Sequence, residues 1–240
     1  MIKFFRKIRQ NLLMENKTGK YFKYAVGEIV LVVIGILIAL SINNWNEQRK
    51  LNDTIRSVYS IVQSDLLSDI KTIDNVLTSA QFNDSIIKRV INKDMTVDDY
   101  LKCNQCIYVL GGFPDIKLKT RGLKLLEQNS TVLNLHQKSL SIEINDFYSF
   151  FNTEIVEATG AIQIDYHDNR KYFKKNMTWF EDFTNKEINE EFIKYALSSV
   201  EYRNRIVSFE QLYYDIYLGQ LRQYKEEAKV LITKINREVK

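Results

Sequence analysis

The chain has 240 residues, of which 45% are hydrophobic, 12% aromatic and 27% charged, the make-up of a folded protein rather than a disordered one. One proline and eight glycines are too few for a many-stranded, turn-rich architecture and favour long helices. The net charge of +4 is uneven: Lys3, Arg6, Lys7, Arg9, Lys17, Lys20 and Lys23 against Glu15 put +6 on residues 1–24 and leave −2 on the rest, which argues against a nucleic-acid partner.

In the leading segment Ile2, Phe5, Ile8, Leu12 and Leu13 recur at helical spacing, with Lys3, Arg6, Lys7 and Arg9 between them. A basic amphipathic helix of this kind lies in the headgroup plane, with membrane lipid as its partner; the simpler alternative is a solvated basic leader. Ile29–Ile42 follows without a single charge. With its flanks it reaches the roughly 20 residues that cross a hydrocarbon core of about 30 Å. Tyr21, Phe22 and Tyr24 precede it and Trp45 follows, where rings sit at headgroup level. The excess of Lys and Arg before the span predicts a cytoplasmic N-terminus and an outer domain, periplasmic in a bacterium. This divides the chain into a cytoplasmic segment 1–20, a transmembrane helix 21–45 in the bacterial inner membrane, and an extracytoplasmic domain 46–240. A cleaved signal peptide is the rival, because Ala39-Leu40-Ser41 offers small residues. The long region before that site and the lack of a linker after it favour an uncleaved anchor.

Within the span, Glu28, Gly35 and Ala39 share one helix face. Gly35-xxx-Ala39 is a small-xxx-small pair that lets another helix approach closely. A carboxylate inside the span is expensive away from the interface. This face is therefore the expected contact for a second copy or for another membrane or envelope protein. The alternative for Glu28 is a headgroup-level carboxylate paired with Lys20 or Lys23.

The run from Gly19-Lys20-Tyr21-Phe22-Lys23-Tyr24-Ala25-Val26-Gly27-Glu28 through Ser41-Ile42-Asn43-Asn44-Trp45-Asn46-Glu47 resembles the N-terminal signature of an uncharacterised family of single-pass membrane proteins of flavobacteria-like bacteria. Ser41 stands where that family more often has Gln. The match is good over residues 1–50. Later pieces are similar more loosely: Thr120-Arg121-Gly122-Leu123 followed by Leu125-Leu126, then a helix with Phe147 and Tyr148. The resemblance implies a location and an architecture, and no activity.

Beyond the span, Asn43–Val90 reads as one long helix with Leu51, Ile55, Val58, Val62, Leu66, Ile70, Ile73, Val76 and Ala80 on its apolar side. A break is expected at Gln81–Asp84 or Asn92–Asp94. Thr96 and Asp99 make a capping signature for a helix over Val97–Leu110, ended by Gly111-Gly112-Phe113-Pro114. Thr120 is placed to cap a helix through Gln128. Thr131–Ile164 is helical in pattern, with Gly160 near its end. Residues 165–186 read as a long connection whose rings (Tyr166, Tyr172, Phe173, Trp179, Phe180, Phe183) plug one end of the core; a recognition surface is the alternative. A short helix over Glu187–Leu197 precedes a last helix over Ser199–Val239. There Tyr217, Leu221, Tyr224, Ala228, Leu231 and Ile235 step as a heptad seam, a coiled-coil pattern. The predicted fold is all-α: a transmembrane helix and an antiparallel helical bundle with long first and last helices.

Chemistry is sparse. Cys103-Asn104-Gln105-Cys106 is a CxxC without a strand–helix setting, so a local disulfide or buried free thiols are expected, and a redox pair is the alternative. Asp165, His167 and Asp168 are a weak metal pattern. Zinc would need Cys103, Cys106, His136 and His167 gathered from distant segments. No P-loop, HExxH, GxGxxG or Ser/His/Asp pattern is present. The expectation is a non-enzymatic, partner-binding envelope protein (scaffold, assembly factor or sensor-like module) without cofactor or metal; a thiol-disulfide protein using Cys103 and Cys106 is the alternative.

Overall fold

The structure, a computed structural model, describes residues 18–103 and 105–239. The basic segment with Lys3, Arg6, Lys7 and Arg9 lies outside the described residues. Among those that are described, every regular element is a helix and there is no strand. Two compact units part at Thr54/Ile55.

Helix α1 is Thr18–Ile91. Its residues up to Thr54 form the described part of the first unit. It is long and apolar enough to cross a membrane, and none of its most apolar window is buried. Between Ile29 and Ile42 every large apolar side chain is 47–64% exposed. At the end of this stretch Asn43 Nδ2 donates to Glu47 Oε1 at 3.0 Å, and the Arg49 guanidinium lies 5.7 Å from the Trp45 ring centre.

The second unit starts on the later turns of α1. Ile55, Val58, Val62, Leu66, Ile73, Val76 and Ala80 are buried, as the spacing predicts. The helix does not break at Gln81–Asp84; it continues to Ile91, because Ile86, Ile87 and Val90 extend its buried side. Its end is a Schellman turn. Lys93 takes the left-handed conformation (φ 61°), Lys93 N–H donates to Val90 O, and Asp94 N–H donates to Arg89 O at 2.8 Å.

Helix α2, Val97–Leu101, carries the expected capping box between Thr96 and Asp99. It is much shorter than the predicted Val97–Leu110. Cys106, Ile107, Val109 and Leu110 are all buried, and one helix face cannot serve such a dense run, so the chain makes a 3-10 turn over Cys106–Tyr108. Helix α3 is Arg121–Gln128. Thr120 precedes it but makes no side-chain cap bond. Helix α4, Leu135–Asn176, starts on a capping box between Asn134 and Gln137 and runs through Gly160 well past the predicted end. Its stripe continues through Ile155, Ala158, Ile162, Asn169 and Phe173, which are buried.

Residues 165–186 are thus the end of α4, a turn, and α5 (Phe180–Asn185) rather than one long connection. Phe173, Trp179 and Phe183 are buried there, and Tyr172 and Phe180 pack against the core. Trp179 is buried, with centroids 5.0 Å from Phe173, 5.2 Å from Phe192 and 5.4 Å from Tyr195. Helix α6, Glu190–Ser198, follows. The last stretch is α7 (Val200–Phe209), a π-helical segment (Glu210–Tyr217) and α8 (Leu218–Val239). The wider π turn aligns residues four apart: Phe209, Tyr213 and Tyr217 stack at 5.3 and 5.7 Å. All six residues of the predicted seam are buried.

Hydrogen bonds fix how the long elements of this unit meet. Gln63 bonds Asn236 (2.9 Å), Asp74 pairs with Lys225 (2.5 Å) and Ala80 O accepts from Tyr214 (3.1 Å). Partner numbers fall along the last helices as they rise along α1, so the two run antiparallel. Helix α4 packs beside them: Tyr59 donates to Gln137 O at 3.0 Å, and Phe147 and Phe151 sit 4.9 and 5.2 Å from the Tyr224 ring.

Candidate functional site

The most constrained polar cluster stands on the apolar stripe of α1. Asp65 and Asp69, one helical turn apart, occupy stripe positions between Val62 and Ile73, and each is only 3% exposed. Buried carboxylates need partners, and both find them at the start of α3. Gly122 N–H donates to Asp65 Oδ2 at 2.7 Å, and the Arg121 guanidinium lies 3.6 Å from Asp65 Oδ1. Lys119 N–H is shared between the two Asp69 oxygens at 3.3 and 3.1 Å. The Tyr224 hydroxyl donates to Asp69 Oδ2 at 2.9 Å from the opposite side. Lys119 Nζ bonds the Ser68 hydroxyl.

The helix start expected to be capped by Thr120 is therefore held by two carboxylates from another helix, which supply the negative charge that a helix N-terminus favours. Contact this close needs glycine. A Cβ on Gly122 would stand 2.5 Å from Val62 N and 2.6 Å from Val62 Cα.

Burial pushes the Asp69 carboxyl up to about 6, against the lowering pull of Tyr224, the Lys119 N–H and the Lys119 charge. Burial also drives the Tyr224 and Tyr148 phenols well above their ordinary value. The Tyr148 hydroxyl is buried without a hydrogen bond of ordinary geometry, although it is electrostatically coupled to Tyr224. The site thus holds a carboxyl raised to about 6 beside phenols that stay neutral. With both carboxylates 3% exposed, the contacts they make fasten α3 to α1.

The DUF6090 family, described as a family of unknown function, matches residues 28–156, more than half the chain. The chain belongs to this family. The DUF6090 match contains Glu28, Gly35, Ala39, both cysteines, Asp65, Asp69 and the Lys119–Gly122 start of α3, whereas Tyr224 lies outside it. No curated protein and no solved structure matches the chain.

The remaining predicted residues are spread through the DUF6090 chain. Gly35 has open space where a Cβ would stand, and Ala39 is exposed. Cys103 and Cys106 form a disulfide with Cα atoms 5.4 Å apart, and Cys106 is 1% exposed. Cys103 follows α2 and Cys106 opens the 3-10 turn, so the pair bridges two short elements rather than lying within one helix. Asp165 and Asp168 lie on α4 and engage protein groups: Asp165 accepts from Ser208 and Asn169 (both 2.8 Å), and Asp168 pairs with Arg205 at 2.9 Å. His167 is exposed, and among the described residues no cluster of His, Cys, Asp and Glu is placed to hold a metal.

The apolar spacing runs through Leu66 and Ile70, the neighbours of Asp65 and Asp69, and so leaves the two carboxylates out of the buried side. The signal was there: Val58, Val62, Asp65, Asp69, Ile73, Val76 and Ala80 step 4-3-4-4-3-4.

Proposed function

We propose that this DUF6090 protein is a non-enzymatic module held in a membrane by residues 21–45, with its helical domain 46–240 engaging a partner in the cell envelope. The observation that carries the reading is the uncharged Ile29–Ile42 stretch, whose large side chains stay about half exposed with no packing partner in the described chain. An apolar surface of this length in water is a liability, and a bilayer removes it. The basic leader supports a cytoplasmic N-terminus, and the lipid surface beside it is the partner of Lys3, Arg6, Lys7 and Arg9. That puts the domain in the periplasm, where a Cys103–Cys106 disulfide is at home.

The disulfide reads as a staple. Cys103 follows the C-terminal end of α2 rather than opening a helix, and Cys106 is sequestered from attack. In the membrane, the face of Glu28, Gly35 and Ala39 is the contact for a second copy or a partner helix. Crosslinking in native membranes tests this. Gly35→Leu and Glu28→Gln are expected to remove the crosslinked species of the wild type while leaving the protein in the membrane fraction. Unchanged crosslinks in both variants would refute the contact face.

A further inference from the structure

Helices α4 and α8 run side by side with a groove between them on the outer surface. Near one end Lys234 pairs with Glu143, and towards the other Gln220 Nε2 donates to Glu154 at 3.0 Å. The eleven steps from residue 143 to residue 154 span about 16 Å, or three helical turns. The groove encloses about 440 Å³. Its floor is Phe147 and Leu231, and its lips are Phe150 and Val230, which remain 45% and 59% exposed.

Each helix offers residues at i, i+3, i+4 and i+7: Glu143, Asp146, Phe147 and Phe150 on one, Glu227, Val230, Leu231 and Lys234 on the other. That is the face a third helix packs against. The charge is one-sided. Three carboxylates, Glu143, Asp146 and Glu227, line the groove with one ammonium, Lys234, which Glu143 already engages. An anionic lipid surface or a nucleic acid would be repelled here; a cationic partner would be drawn in.

We propose that this groove is the docking site for an amphipathic helix of a partner protein, with its apolar stripe seated between Phe150 and Val230 and its Lys or Arg flanks meeting Asp146 and Glu227. The inference rests on the partner-binding reading above and adds a place and a chemistry to it.

The test uses the full-length protein in nanodiscs of zwitterionic lipid, with empty discs as the blank. The probes are two fluorescent synthetic helices of about 20 residues that share one leucine stripe and carry either Lys or Glu flanks. Anisotropy is expected to show the Lys helix binding at least about tenfold more tightly. Phe150→Asp and Val230→Asp, both at exposed positions, should each weaken it by a similar factor. Asp146→Lys with Glu227→Lys should reverse the preference. Equal binding of the two helices, or no response to these variants, overturns the proposal. So does an oligomer that Phe150→Asp dissociates when neither helix binds the wild type, since the occupant is then a second copy. A photocrosslinker in cells separates the two levels of the account. Crosslinks from Val97 but none from Val230 defeat the groove and spare partner binding. None from either position defeats both.

Discussion

Replacing Gly122 with alanine is expected to destabilise the second unit by about 3–5 kcal/mol, the range for breaking a buried charged contact. The added methyl would meet Val62 N and Cα at 2.5 and 2.6 Å, and main-chain atoms inside a helix cannot swing aside as a flexible side chain can. Helix α3 must lift off α1. The Gly122 N–H bond to Asp65 then stretches or breaks, and a 3%-exposed carboxylate loses its shortest contact. For a domain of this size the loss corresponds to a fall in Tm of roughly 10 °C or more. Thermal unfolding of the detergent-solubilised chain, followed by circular dichroism, measures it. Gly219→Ala is the control. It sits within α8 with nothing inside 4 Å, so alanine there should gain up to about 1 kcal/mol. Equal behaviour of the two variants would show that the α1–α3 approach is not tight.

The second large effect concerns Asp69 and pH. Its carboxyl is raised from 3.8 to about 6 in the folded chain. Between those values the folded protein holds a proton that the unfolded chain has released, so stability falls as pH rises through the window. Ionisation of Asp69 at neutral pH therefore costs on the order of 3 kcal/mol, and acidification from pH 7 to 5 should stabilise the domain. Glu210, raised by burial and by Asp215 and Asp84, adds in the same sense. Asp99 acts oppositely and lower down: Arg89 and Thr96 hold its carboxyl far below the usual range, so its contribution is lost only under strong acid. Asp69→Asn, which mimics the protonated form, should flatten the slope between pH 4 and 6 relative to wild type. Denaturant melts at closely spaced pH values read this out. A wild type that loses stability on going from pH 7 to 5, or a variant with an unchanged slope, contradicts the assignment.

The helical class and the inward-facing residues could be read from spacing, because apolar residues three and four apart must share a side. What escaped was polar residues standing on that side. Asp65 and Asp69 in α1 and Asn169 in α4 are buried on that side, and a pattern built on apolar residues alone passes them over. Asn169 stands on the buried side between Ile162 and Phe173, so the apolar pattern alone ends α4 too early. Gly160 also suggested a stop, but it has open space around it and does not interrupt the helix. The short α2 was misjudged for the opposite reason. Cys106 to Leu110 is apolar enough for a helix, but nearly all of it is buried, and only an irregular turn turns so many neighbours inward. The role of the Lys119–Gly122 start is not legible in sequence, since its partners lie 50 and 57 residues away on α1.

The proposed anchoring puts Ile29–Ile42 in a bilayer with the helical domain on its far side. A single cysteine at exposed Val97, in a chain lacking Cys103 and Cys106, can be labelled with a membrane-impermeant maleimide in cells whose outer barrier has been opened. Labelling without lysis of the inner membrane is expected, with the labelled chain staying in the pellet after alkaline carbonate. Ile34→Lys with Leu37→Lys should send it to the supernatant. Labelling of Val97→Cys only after the inner membrane is broken, or release of the wild-type chain by carbonate, would contradict the claim.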